Sequence, residues 1–190
     1  MIRMVVDSIR EGDVRSLSPA RVVILREAAP PKDADFYYLA VFVNVHESNV
    51  IAACLSNERT PRPLMVDAWK QTLLAFGARV KMVVISNLFA GTFYADLIVD
   101  FNGRMIRLDC RPSDAMALAL RMDAQIFAEE KVLAEAGIRH SALESSKETG
   151  GNKPKGGPVS DKELKDLSAF RNFIEEELDM GEGDTKKDKP

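Results

Sequence analysis

Read for period, the hydrophobic positions of this chain divide it into short strands and helices. Met1–Gly12, centred on Met4-Val5-Val6, Arg21–Arg26, with the run Val22-Val23-Ile24-Leu25, and Phe36–Val45, aromatic and β-branched throughout, read as strands. Pro30-Pro31-Lys32-Asp33 turns the chain between the last two. A helix is predicted over about Glu47–Asn57. Thr60-Pro61-Arg62-Pro63 then forms an extended connector, because proline and the residue before it disfavour helix. Leu64, Ala68, Leu73 and Phe76 recur at helical spacing, and Gly77 suits a C-terminal cap. Val80–Leu88, a turn at Ala90-Gly91, Thr92–Asp100, a turn at Asn102-Gly103 and Met105–Cys110 read as three strands in hairpin succession. Ala124–Ala128 reads as a short strand, and Glu129–Ala136 as a helix closed by Gly137.

The stretch Ile106–Arg121 organises the rest. Ile106-Arg107-Leu108-Asp109-Cys110 alternates with period two, as a half-buried strand does. Pro112 fits the first turn of a helix, where its missing N–H costs nothing, and Asp114 complements the positive end of the helix dipole. Ala115–Leu120 is small or apolar throughout, so that helix should be buried on most sides. A shift of 65 positions lays Val43-Asn44-Val45-His46-Glu47-Ser48-Asn49 beside Leu108-Asp109-Cys110-Arg111-Pro112-Ser113-Asp114, and each is followed by an apolar helix. The expected architecture is α+β, with duplicated strand–strand–helix units.

Composition alters this picture mainly in the tail. Residues 1–140 hold 17 Lys+Arg and 17 Asp+Glu, whereas 141–190 hold 9 and 12, so the acidity belongs to the C-terminal part. A neutral body argues against coating nucleic acid by bulk charge but leaves room for a local site. Residues 1–140 are expected to form one domain and 141–158, with Gly150-Gly151 and Gly156-Gly157, a flexible linker. Residues 159–180 follow as an amphipathic helix, with Leu164, Leu167, Phe170, Ile174 and Leu178 in one stripe, and 181–190 as a disordered tail. Such a helix is marginal alone in water, so it should dock on the body or on another subunit, and a homo-oligomer such as a dimer is expected. No apolar run approaches a bilayer span, no leader-like start is present, and Cys54 and Cys110 lack disulfide or metal spacing. A cytoplasmic protein without a membrane partner is expected.

Three stretches resemble the bifunctional nuclease domain family. They are Pro61-Arg62-Pro63-Leu64, then Val84-Ile85-Ser86-Asn87-Leu88-Phe89-Ala90-Gly91-Thr92-Phe93-Tyr94-Ala95, then Asp109-Cys110-Arg111-Pro112-Ser113-Asp114-Ala115. The resemblance covers roughly residues 1–137. It implies a mainly antiparallel, barrel-like sheet with outer helices, and activity on DNA and RNA. The family's usual Ile-Trp-Ile-Gly-like run before a glutamate is replaced by Val41-Phe42-Val43-Asn44, then Val45 and His46, ahead of Glu47. If the family's glycine admits a substrate backbone, Asn44 and His46 would narrow or re-tune the site.

Phosphodiester hydrolysis commonly uses carboxylates that hold divalent cations, with a cation on the phosphate. Asp109, Asp114 and Glu47 are candidate ligands for Mg²⁺ or Mn²⁺, and Arg111 is a candidate catalytic contact to the phosphate. His46 is a candidate general base. Arg62, Ser113, Tyr94 and Asn49 are candidate substrate contacts. Each has a plainer role open to it: Asp114 and Glu47 as caps, Asp109 as the ion-pair partner of Arg107 or Arg111, His46 as an exposed residue and Tyr94 as sheet surface. Arg111 is harder to explain away, because the helix dipole repels a cation at that position, so it needs an anion nearby. Asp67 could face the same site as Arg62. No phosphate-binding glycine loop, zinc site or nucleophile elbow is present. The leading reading is a metal-assisted nuclease of low sequence preference. The alternatives are a non-catalytic anion- or partner-binding regulatory module, or a structural oligomerising domain.

Overall fold

A computed structural model describes residues 1–11, 20–30, 35–57 and 60–142. All but the first two residues of the expected linker, the helix expected over 159–180 and the tail over 181–190 lie outside them. Residues 1–138 form one compact unit. In chain order the elements are β1 (Ile2–Glu11), β2 (Ala20–Glu27), β3 (Tyr37–Asn44), α1 (Val45–Leu55), α2 (Met65–Ala75), β4 (Ala78–Phe89), β5 (Thr92–Phe101), β6 (Arg104–Cys110), α3 (Pro112–Arg121), β7 (Gln125–Ala128), α4 (Glu130–Ala136) and β8 (Gly137–Arg139). Among the described residues no helix is long and apolar enough to cross a membrane.

The strands form one sheet in the order β6-β5-β4-β7-β1-β2-β3-β8. β1-β2-β3 and β4-β5-β6 are antiparallel meanders, and β7 lies between them, parallel to β4 and antiparallel to β1. The repeated unit is therefore three strands and a helix, β1-β2-β3-α1 and β4-β5-β6-α3, one strand more than the motif at the corners indicated. Both β4–β5 and β5–β6 turn through two residues with positive φ, Ala90-Gly91 (49° and 74°) and Asn102-Gly103 (52° and 80°). That conformation matches the twist of the flanking strands. α1 packs on α3, so the corner helices of the two halves meet. The ends of β3 and β6 approach each other across that contact, although these strands stand far apart in the strand order. The sheet is thus strongly curved. It remains open, with no ladder between β6 and β8 among the described residues.

The core is one cluster, with Val23, Leu25, Leu39, Val83, Ile85, Ala95 and Ile126 from the sheet and Ile51, Met116, Leu118, Val132 and Leu133 from the helices. α3 buries seven of its ten residues, as its apolar run predicts. α2 departs from expectation. Ala68 and Phe76 are exposed, and the inward side is Val66, Asp67, Lys70 and Leu73. Polar anchoring explains the difference. Asp67 Oδ1 lies 3.0 Å from Arg121 Nε, Asp67 Oδ2 accepts from Leu64 N–H at 2.9 Å, and Lys70 Nζ donates to the Arg121 carbonyl at 2.6 Å. Asp67 therefore serves α2–α3 docking.

Candidate functional site

The site is built where the β3–α1 corner meets the β6–α3 corner. α1 starts at Val45 because Asn44 is its N-cap. Asn44 Oδ1 accepts the Glu47 N–H at 2.8 Å, and Glu47 Oε2 accepts the Asn44 N–H at 3.2 Å. This reciprocal box holds the Glu47 carboxylate in place. It leaves Oε1 to meet Arg111 Nη1 at 2.6 Å. Arg111 is the N-cap residue of α3, and Pro112 forces the helix to begin immediately after it. Consequently α1 starts two residues earlier in the repeat than α3 does. Arg111 Nε and Nη2 donate to Asp114 Oδ2 and Oδ1 at 2.9 and 3.3 Å, a two-pronged contact.

Two of the plainer roles are thereby decided. Glu47 caps its helix and also pairs with Arg111, one oxygen for each. Asp114 gives both its side-chain oxygens to Arg111. The Asp114 hydrogen bonds, then the charges of Asp114 and Glu47, raise the Arg111 pKa above the usual arginine value. The cation therefore tolerates the helix N-terminus through two carboxylates. The Arg111 side chain remains 66% exposed while Glu47 is only 14% exposed. The guanidinium, with five N–H donors, faces a pocket of about 300 Å³. Phe42 and Val43 from β3, Gly91–Phe93 from the β4–β5 turn, and Glu47 and Arg111–Ser113 from the two corners line it.

Ser113 is buried at the pocket wall, whereas His46 and Asn49 are exposed on α1 outside the lining. Tyr94 is exposed on β5, where its neighbour Phe93 takes the pocket position. Arg62 is exposed on the connector, its carbonyl accepting from Thr60 Oγ1, and is not part of the lining. Asp109 pairs directly opposite Asp96, so it shares the sheet face of the Arg107–Asp96 ion pair and stands apart from Glu47 and Asp114. Arg107 hydrogen bonding holds the Asp96 carboxyl below its usual range despite its burial. Burial, then the charges of Asp114, Asp109 and Asp96, pushes the Cys110 thiol up to about 11.

Among the described residues no cluster of three or more His, Cys, Asp or Glu side chains is arranged to hold a metal ion. Glu47 and Asp114 both direct oxygens at Arg111, and Asp109 faces elsewhere. The three-carboxylate set does not fit a shared divalent cation in this arrangement. Sequence reasoning missed Phe42 and Phe93 as pocket walls, because period alone places them on strands without saying which strand ends converge. It also missed Asn44 as a cap, although Asn44-x-x-Glu47 is a capping-box pattern.

The chain shares 41% identity over 117 residues, 62% of its length, with an uncharacterized protein of Mycobacterium tuberculosis strain H37Rv, and spans 66% of that protein's length. It shares 28% identity over 129 residues with a protein named bifunctional nuclease 1 of Oryza sativa subsp. indica. That match covers 63% of this chain and 39% of the rice protein. The family model described as the bifunctional nuclease domain matches residues 23–141. That span contains both corners, the β4–β5 turn and every residue that lines the pocket, and the chain belongs to the bifunctional nuclease domain family.

Proposed function

We propose that this chain is a nuclease that hydrolyses phosphodiester bonds of DNA or RNA with low sequence preference, in the pocket between the two corners. Arg111 carries the reading, as an exposed guanidinium on a pocket wall reached by carboxylates from both halves of the chain. A phosphodiester offers the same two-oxygen face that Asp114 offers, so it can take Asp114's place in the guanidinium fork. When the phosphate also draws Nη1 away from Glu47, whose Oε2 is held by its cap, Oε1 is released to accept the proton of an attacking water. Water adds at phosphorus, the bond to the leaving oxygen breaks, and that oxygen is protonated from solvent. Phe42 and Phe93 supply aromatic surface for a neighbouring base. These steps are written without a metal ion, and comparing Mg²⁺, Mn²⁺ and chelator tests for one.

A second reading, a non-catalytic module that binds anions or partners, is favoured by one observation: Glu47 and Asp114 already satisfy Arg111 and would compete with a phosphate. Cleavage of labelled single- and double-stranded DNA and RNA, with Mg²⁺, with Mn²⁺ and with chelator, separates the two. The nuclease reading expects cleavage that falls more than roughly tenfold in Arg111→Ala and in Glu47→Gln, while the melting temperature moves little. Cleavage unchanged in Arg111→Ala would remove the pocket from the chemistry. No cleavage under any condition, with nucleic acid still bound in an anisotropy titration, would establish the binding module.

A further inference from the structure

The two halves of the chain differ sharply at their outer strands. With the 65-residue shift, Val41 and Val43 of β3 correspond to Ile106 and Leu108 of β6. Val41 and Val43 are 2% and 7% exposed, whereas Ile106 and Leu108 are 38% and 44% exposed. All four lie on the inward face of their strands. Val41 pairs with Val23, and Ile106 and Leu108 pair with Val99 and Leu97. β3 is covered by α1 and α4, and β8 continues the sheet beyond it. On β6, residues 104–109 are all exposed, no strand among the described residues continues the sheet past it, and Phe101, opposite Arg104, extends the inward apolar surface at its start. Arg104, Arg107 and Asp109 put charge on the β6 edge, but the backbone itself is not interrupted. Its register with β5 runs unbroken from Arg104 to Cys110, with no bulge and no proline.

We propose that the free edge of β6 pairs antiparallel with β6 of a second copy of this chain, about a two-fold axis at Arg107, so that two sheets join into one. The sequence of the strand favours this occupant. With Arg107 on the axis, Ile106 of each copy lies opposite Leu108 of the other, giving four aliphatic side chains in contact on the inward face. On the outward face Asp109 of each copy lies diagonal to Arg107 of the other. The carboxylate of Asp109, which has no ion-pair partner among the described residues, thus gains a cation. The like charges of the two Arg107 residues are each already offset by Asp96. The same register sets Arg104 of each copy opposite Cys110 of the other, one residue from Arg111, and so adds a cation beside the corner.

Sedimentation of the full chain across a roughly hundred-fold range of concentration reads the assembly directly. Hydrogen exchange of residues 104–110 is followed over the same range. A dimer is expected, with β6 amides that become protected as concentration rises, and Leu108→Lys should weaken association at least roughly tenfold. Cross-linking fixes the register. An oxidised mixture of Ile106→Cys and Leu108→Cys chains should yield disulfide-linked dimers. Neither variant alone should do so, because like residues sit about 7–8 Å apart on the diagonal and only opposite residues come within bonding reach. A chain that stays monomeric, or a dimer indifferent to Leu108→Lys, would overturn the proposal. So would β6 amides protected equally at every concentration, which would point to this chain's own C-terminal residues as the cover.

Discussion

At the scale of single residues, the structure repeatedly gives one side chain two tasks. Glu47 divides its oxygens between a helix cap and Arg111, and Asp67 divides its own between the start of α2 and Arg121. Such sharing explains why choosing between a structural and a functional role for Glu47 could not be settled by residue type and spacing. Asp96 shows a simpler division. It lies opposite Asp109, and Arg107 neutralises it. Its carboxyl is held below the usual range first by the Arg107 hydrogen bond, with Ser86 adding in the same direction and burial opposing. A depressed folded-state pKa contributes stability that is present above the unfolded carboxylate value, near about 4, and is lost as pH falls through the folded value. The urea midpoint of the native chain should therefore drop more between pH 6 and pH 3 than that of Asp96→Asn, since Asn cannot titrate. Equal drops would show that the pair contributes nothing to acid sensitivity.

At the scale of elements, most of the fold was legible. The Asn102-Gly103 and Ala90-Gly91 turns, Pro112 at a helix start and the apolar run of α3 each carry a local reason for their conformation, and each stands where that reason puts it. Two elements were less legible. The inward side of α2 is set by Asp67 and Lys70 reaching Arg121, a tertiary contact that hydrophobic spacing does not encode. β8 is three residues long, too short to show a period, and follows α4 directly at Gly137. That glycine is required by proximity. A Cβ there would collide with the Leu133 carbonyl and come within 2.9 Å of the Tyr37 ring. Neither can withdraw without moving α4 or β3. Gly137→Ala should cost about 1–3 kcal/mol in denaturant unfolding, as overpacking does. A neutral result would mean that the α4–β8 junction shifts freely.

For the molecule as a whole, the repeat at the corners was visible in the sequence, but its extent was not. β1 and β4 carry no shared motif, so the third strand of each unit emerged only from the pairing. The convergence of the corners was likewise hidden. Spacing puts Glu47 and Arg111 on separate helix starts, and only the curvature of the sheet brings them within 2.6 Å. Residue chemistry at the two corners supplied the candidates for the site. The geometry then divided them, keeping Glu47, Arg111 and Ser113 in the pocket wall with Asp114 behind them on Arg111, and leaving Asp109, His46, Asn49, Tyr94 and Arg62 outside it.

The ion pair between the corners also has a consequence for how the chain reaches its native state. Glu47 and Arg111 belong to different meanders, each of which can form from local hairpin contacts. Their meeting requires both meanders to be complete and the intervening chain to be closed. The contact should accordingly form after the main folding barrier. Glu47→Ala, which removes a cap acceptor and the ion pair, should lower stability by about 1–2 kcal/mol. In a chevron series nearly all of that loss should fall on the unfolding rate, with refolding almost unchanged. Slower refolding would instead place the joined corners in the nucleus. On the expected outcome, a chain still in the course of folding holds a carboxylate in one half and a guanidinium in the other, and the pocket wall they share exists only once the last step brings them together.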